Sequence, residues 1–298
     1  MKDLQGIITV LITPFDKNDE VDYKGFESNI EWLISQGVHG LLTLGSTGEY
    51  ASLTDEERYK VAEFVMKAAK GRVPVVVGTT CETQKRAIAF SKHAESIGAA
   101  GVMISPPPYC KPDMEQVYGY YKDINDAINI PIILYNNPWT TGVDVTEKTL
   151  IKIFDELKNV QYLKDSTGSV QRARDVKAYA SSEVKLLCGW EDLAYENFVL
   201  GAQGWISVSS NVTPKLCIEL FEKTYAAKDF SGGREVYDKL LPMLRYLENS
   251  GKLVQAVKSM SNMLGLAGGY MRGPRLPLSS DEESELKQIL VNMGAISN

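Results

Sequence analysis

Short runs of β-branched and apolar residues recur along the chain, and between them apolar positions return at helical spacing. The runs are GIITVLIT (6–13), GLLTL (40–44), VPVVVG (73–78), GVMIS (101–105), IPIILYN (130–136), VQYLK (160–164), VKLLCG (184–189) and GWISVSS (204–210). They start roughly 20 to 35 residues apart, the length a strand–helix unit needs. Most are apolar throughout instead of alternating, as parallel strands covered on both faces are. Eight such units predict an α/β protein, a (β/α)8 barrel with additional C-terminal helices. A doubly wound sheet is the alternative. It would carry a Gly-rich phosphate turn after the first strand, and TPFDKND there has no GxGxxG.

The intervening segments carry helix punctuation. TDEERYKVAEFVMKAAKG opens with Thr54 as N-cap and Glu57 three residues on, a capping box, and Gly71 is a natural stop. TQKRAIAFSKHAESIG and TEKTLIKIFDEL follow the same grammar. PKLCIELFEKTYAAKDF closes the eighth unit, and REVYDKLLPMLRYLEN with the stretches near 252–266 and 281–293 predicts further helices without strands. Residues 1–213 are thus expected to hold the barrel strands and most barrel helices. Residues 214–298 hold the last barrel helix and a C-terminal helical extension.

Composition narrows the function. With 298 residues, 44% hydrophobic and 23% charged, the chain has ample material for a packed core. A net charge of -6 and the lack of a basic stripe argue against nucleic-acid binding. No apolar run is long enough to span a membrane, and MKDLQGIITVLITPFDKND reads as a first strand and not as a signal peptide. Cys81, Cys110, Cys188 and Cys217 have no metal-type spacing and fit buried, reduced thiols of a cytoplasmic protein. Only His39 and His93 are available, which excludes a His-rich metal site and restricts any Ser-His-Asp machine to those two. No metal and no cofactor are expected.

Barrel active sites lie at the C-terminal ends of the strands. After the second strand comes Gly45-Ser46-Thr47-Gly48-Glu49. This loop either presents N–H groups and hydroxyls to an anion or is a tight turn into the next helix. The fifth strand ends in Tyr135, whose phenol can move a proton or can simply finish the core. The sixth ends in Lys164-Asp165. Burial disfavours a charged amine, and a neutral amine inside a barrel attacks carbonyls to give a Schiff base. The bland alternatives are a surface lysine or a pair with Asp165. Adjacent strands would set Tyr135 beside Lys164, with Ser46 and Thr47 opening onto the same end. Carboxylate cradle, phenol and amine are the parts that imine chemistry on a 2-oxo acid requires.

GSTGE (45–49), SPPPYCKP (105–112), YNNPWTTG (135–142) and KDSTG (164–168) together resemble the dihydrodipicolinate synthase / N-acetylneuraminate lyase family. The resemblance runs from GIITVLITPF to MRGPRLPL (271–278). It implies class I Schiff-base chemistry without metal on a small 2-oxo acid, and a homotetramer. By the same resemblance Lys164 forms the imine, Tyr135 shuttles the proton, Ser46 and Thr47 bind the carboxylate, and Tyr109 reaches into a neighbouring subunit's site. Ser46 stands where the synthases usually have Thr. Thr140 stands where they have an Arg that holds the carboxylate of aspartate semialdehyde, and this is not a conservative exchange. Arg272 or Arg275 could compensate only from a segment that approaches the site. Asp55, Arg58, Glu82, Arg86 and Pro108 replace the His, His, Asn, Glu and Tyr of a lysine-inhibition pocket. Distal specificity is expected from Trp139, Thr140, Thr141, Gly189, Trp190, Glu191, Asp192 and Ser207 to Asn211. Glu191 and Asp192 match an acidic pair that contacts substrate hydroxyls in the lyases; alternatively each is a helix N-terminal acid favoured by the dipole. The resulting expectation is a catabolic aldolase, dehydratase or deaminase ahead of a lysine-pathway synthase, with a non-catalytic 2-oxo acid binder as the rival class.

Overall fold

The computed structural model describes residues 3–297. Eight parallel strands close into a barrel in chain order: β1 (Gly6–Val10), β2 (Gly40–Thr43), β3 (Val75–Gly78), β4 (Gly101–Ile104), β5 (Ile132–Asn136), β6 (Val160–Asp165), β7 (Lys185–Cys188) and β8 (Gly204–Ser207). Closure through β1 and β8 rules out the doubly wound alternative. The helices between strands are α1 (Tyr23–Ser35), α2 (Asp55–Ala69), α3 (Gln84–Ser96), α4 (Met114–Ala127), the short α5 (Pro138–Thr141), α6 (Glu147–Glu156), α7 (Val170–Tyr179) and α8 (Ala194–Val199). After β8 come α9 (Pro214–Phe221), α10 (Phe230–Asn249), α11 (Leu253–Met263) and α12 (Ser280–Asn292).

All eight expected strands form, several of them shorter than their apolar runs. The Thr54–Glu57 capping box opens α2. That helix ends at Ala69, and Lys70 already turns left-handed (φ 53) ahead of Gly71 (φ 68), so the stop begins one residue before the glycine. Helix α10 starts four residues earlier than Arg234. Asp229 caps it by accepting from the Gly232 N–H, and a Cβ on Gly233 would collide with the Thr224 hydroxyl. The Gly-Gly pair therefore lets the helix approach its neighbour and does not break it.

The sheet separates two cores. Outward residues such as Leu41, Val77, Ile104, Leu134 and Leu163 pack under the helices. Inward residues such as Leu42, Val76, Met103, Ile133, Tyr135 and Tyr162 fill the barrel and continue into the C-terminal helices. Between β5 and β6 the register shifts: Ile132 faces Val160, but Ile133 faces Tyr162, leaving Gln161 as an extra residue. The shift sets Tyr135 against Lys164 and Asn136 against Asp165. Because successive side chains alternate, Tyr162 and Lys164 point inward while Leu163 and Asp165 point out.

A buried ion pair ties the loop after β2 to α11. Lys258 and Glu49 are 1% and 0% exposed, and the ammonium also donates to the Tyr270 carbonyl at 2.6 Å. On the same segment Arg272 pairs with Glu57 and stacks over Phe15. Removing one member of a buried pair leaves an uncompensated charge, which costs more than the pair itself contributes. Lys258→Met should therefore lower stability by about 3–5 kcal/mol in denaturant unfolding. The Glu49→Gln/Lys258→Met double variant should lose less than the single one.

Candidate active site

A cavity of about 660 Å³ opens at the C-terminal end of the barrel. Its wall includes Ser46, Thr47, Tyr135, Asn137, Thr140, Lys164, Gly189, Glu191, Glu248 and Arg275. The structure thus gathers the amine, the phenol and the hydroxyl loop that the sequence placed on separate strands. Lys164 is 5% exposed, and its Nζ lies 4.0 Å from the centre of the Tyr135 ring. Asp165 does not pair with it. That carboxyl sits on the outer face, accepts from Thr167 and Asn136, and is pushed up to about 6 by burial. Of the carboxylates around it, Glu49 stands behind the cavity wall and pairs with Lys258, Glu191 accepts from backbone N–H groups, and Glu248 accepts from the Glu191 N–H. The amine therefore faces the cavity over an aromatic ring, with no carboxylate paired to it among the described residues.

The phenol is held from its own loop. Asn137 donates to the Tyr135 hydroxyl at 2.7 Å, which leaves the phenolic proton available to a third party. The GSTGE loop is built as a turn and also borders the cavity. It is a tight turn, with Glu49 N–H on the Ser46 carbonyl and Thr13 Oγ1 donating to the Gly48 carbonyl. Yet the N–H groups of Ser46 and Thr47 have no acceptor among the described residues, and both residues line the cavity. Such free N–H groups beside hydroxyls suit a carboxylate. Leu44, at φ 59, turns the chain into this loop, and a Cβ on Gly78 would meet the Leu44 carbonyl, so β3 must be bare there.

The other expected site residues divide between the cavity wall and the packing around it. Thr141 is buried, and its hydroxyl donates to the Asn137 and Val143 carbonyls, so it shapes the loop and does not face the cavity. Ser207 is 0% exposed; its hydroxyl pairs with Ser209 and accepts from the Ser210 N–H. Glu191 lines the cavity, but its two oxygens accept from Val208 and Ser209 N–H at 2.8 and 2.9 Å. It caps the turn after β8, each oxygen accepting one backbone N–H. Asp192 is absent from the lining, and its carbonyl accepts from Tyr237. Thr140 is exposed at the rim, with its hydroxyl on the Asn137 carbonyl. Of the two arginines considered for the missing guanidinium, Arg275 lines the cavity 3.5 Å from Glu49, whereas Arg272 is turned to Glu57. Tyr109 is 89% exposed, and its neighbour Cys110 is exposed as well, unlike the buried Cys81, Cys188 and Cys217.

Arg58 occupies the region of the lysine-inhibition motif. It is 4% exposed, donates to the Thr80 carbonyl at 3.1 Å and stacks on Phe90. Among the described residues no group of three or more His, Cys, Asp or Glu is placed to hold a metal ion, and no helix is long and apolar enough to cross a membrane.

The sequence reading missed Asn137, Ser166 and Glu248 in this site, and Lys258 behind it. Lys258 had a signal: it stands four residues after Val254 and three before Ser261, on the apolar face of α11. Gly189 is required because a Cβ would meet the Ser166 hydroxyl, the Asp165 carbonyl at 2.7 Å and Lys164 Cγ at 2.8 Å. Gly189→Ala should push the lysine stem aside and slow its capture of a carbonyl about 10²-fold. The rate of pyruvate trapping by borohydride measures this.

The whole chain has known relatives. Residues 3–293 match the model of the dihydrodipicolinate synthetase family. The 4-hydroxy-tetrahydrodipicolinate synthase of Afipia carboxidovorans is 35% identical over 297 residues, 98% of each chain. A putative dihydrodipicolinate synthetase from Pseudomonas aeruginosa superposes with a TM-score of 0.94 at 34% identity, covering 98% of this chain and 100% of that one. The chloride-inhibited dihydrodipicolinate synthase from Acinetobacter baumannii, solved in complex with pyruvate, gives 0.92 at 32% identity over 99% and 100% of the two chains. An eight-stranded barrel with an inward lysine over a tyrosine, matched over its full length by these enzymes, makes this chain a member of the dihydrodipicolinate synthetase family of Schiff-base lyases.

Proposed function

We propose that this enzyme captures pyruvate or a longer 2-oxo acid as an imine on Lys164 and serves a catabolic aldolase, dehydratase or deaminase reaction. The observation that carries the reading is the buried Lys164 amine, open to the cavity and 4.0 Å over Tyr135 with no paired carboxylate. The substrate carboxylate sits on the Ser46 and Thr47 N–H groups and hydroxyls. The amine adds to carbon 2, and water leaves. Tyr135, fixed by Asn137, moves a proton between carbon 3 and solvent or partner, giving the enamine that forms or breaks the next carbon bond. The binding-module alternative is disfavoured because binding alone needs no unpaired amine. In the assembly we place Tyr109 against a second copy's site within a homotetramer, which fits its 89% exposure. The four free cysteines fit a reducing cytoplasm.

The preference for catabolism rests on the wall formed by α5. Thr140 gives that wall a hydroxyl where a synthase presents a guanidinium, and Arg58 fills the region of the inhibition motif. Arg275 favours a second reading. It supplies the cavity with a cation from the opposite segment, so a semialdehyde carboxylate has a partner there and lysine-pathway synthesis remains chemically open.

Borohydride with pyruvate should leave a reduced adduct on Lys164 by peptide mapping, and Lys164→Ala should leave none. An unmodified wild-type lysine with pyruvate and with sugar-derived 2-oxo acids would end the lyase reading. Condensation of pyruvate with aspartate semialdehyde is expected to stay below a kcat/KM of ~10⁴ M⁻¹s⁻¹, with polyhydroxy aldehydes reacting faster. The opposite order would select the synthase.

A further inference from the structure

Tyr135 accounts for the proton at carbon 3 but leaves open the one at carbon 4. Joining an aldehyde to the enamine makes an alkoxide on carbon 4, and losing water from that position expels hydroxide. Either step needs an acid beside that oxygen. Tyr135 comes from β5, on one side of Lys164 in β6. On the other side, past β7, two carboxyls line the cavity: Glu191 and Glu248. Glu191 is engaged, since both its oxygens accept backbone N–H groups. Glu248, at the end of α10, is not. Its Oε1 accepts from the Glu191 N–H at 2.5 Å, and its other oxygen has no protein partner among the described residues.

We propose that Glu248 is a second catalytic acid, which gives its proton to the oxygen on carbon 4 of the 2-oxo acid held by Lys164. The inference rests on the Schiff-base reading above. In the aldol direction the enamine electron pair forms the carbon 3–carbon 4 bond, the aldehyde oxygen takes the Glu248 proton, and the imine is restored. In elimination the same pair forms a carbon 3–carbon 4 double bond, the carbon 4–oxygen bond breaks, and the departing oxygen leaves with that proton as water. Both leave Glu248 as a carboxylate, which is reprotonated from solvent through the open cavity.

The surroundings keep the acid loaded. Burial and the Glu191 carboxylate, with Asp192 behind it, push Glu248 up to about 8, against the opposing pull of Lys164. Of the other cations nearby, Arg275 lies 3.5 Å from Glu49, and Lys252, at the start of α11, pairs with Glu282. At neutral pH Glu248 is therefore mostly protonated, and its proton is lost as the pH rises through about 8.

Glu248→Gln keeps the volume and an oxygen for the Glu191 N–H but has no acidic proton. Turnover is read with pyruvate and whichever of aspartate semialdehyde and the polyhydroxy aldehydes reacts fastest. The kcat/KM should fall about 10²–10⁴-fold. Borohydride trapping of pyruvate and deuterium exchange at its methyl group should stay within about threefold, because neither uses carbon 4. The wild-type rate should decline above about pH 8, and the glutamine variant should lose that decline. Glu248→Asp, which keeps an acid, should restore part of the rate and the alkaline decline. Turnover within about threefold of wild type, or an unchanged alkaline limb in the glutamine variant, overturns the proposal. So does parallel loss of trapping and turnover, which would assign Glu248 to holding the turn after β7. Absence of trapping in the wild-type enzyme would instead overturn the Schiff-base reading itself.

Discussion

A buried amine that opens onto the cavity over an aromatic ring, with no carboxylate paired to it, is the constraint on which the site depends. Burying an ammonium without a partner is costly, and a protein ordinarily neutralises it or moves it to the surface. Here β6 carries Lys164 inward, the outward turn of Asp165 removes the nearest carboxylate, and the Tyr135 ring supplies only a weak π contact. The bare backbone at Gly189 leaves room for the lysine stem. Each of these features would be a poor choice for stability alone. Together they keep a nucleophile accessible.

Charge is handled differently a few residues away. Glu49 and Lys258 are as buried as Lys164 but are paired, and they hold the GSTGE loop to α11. The same loop carries N–H groups without an acceptor among the described residues and borders the cavity, so an ion pair behind it sets the position of those groups. The C-terminal helices are thus part of the site. Helix α10 supplies Glu248 and the segment between α11 and α12 supplies Arg275, while Lys258 of α11 stands behind the wall.

What the sequence showed and what it hid divide along physical lines. Strands, capping boxes and the Lys164–Tyr135–Ser46 grouping were legible because they depend on local pattern and on the rule that barrel chemistry gathers at strand ends. The roles of Glu191, Thr141 and Ser207 were not, since a polar side chain near a site can equally satisfy backbone groups, and only coordinates tell which it does. The early start of α10 was masked by Gly232 and Gly233, whose low propensity is outweighed by the Asp229 cap at the first and close packing on Thr224 at the second. Glu248 was hidden because its strand-end neighbours lie 57 residues away in sequence at Glu191. Lys258 alone was within reach, as a charge on an otherwise apolar helix face.

The extra residue in β6 makes the chemistry depend on a count as well as on identities. With Gln161 unpaired, Tyr162 and Lys164 share the inner face with Ile133 and Tyr135. Were the strand one residue shorter, the ladder would zip evenly and the lysine would reach either the wrong neighbour or the wrong face. Such a barrel can drift widely in sequence by replacing one apolar side chain with another, because the phase is unaffected. It cannot drift in length at this strand. The register thus tolerates substitutions that keep the alternation and insertions in the loops, and it holds Lys164 against Tyr135 only while the length of β6 is kept.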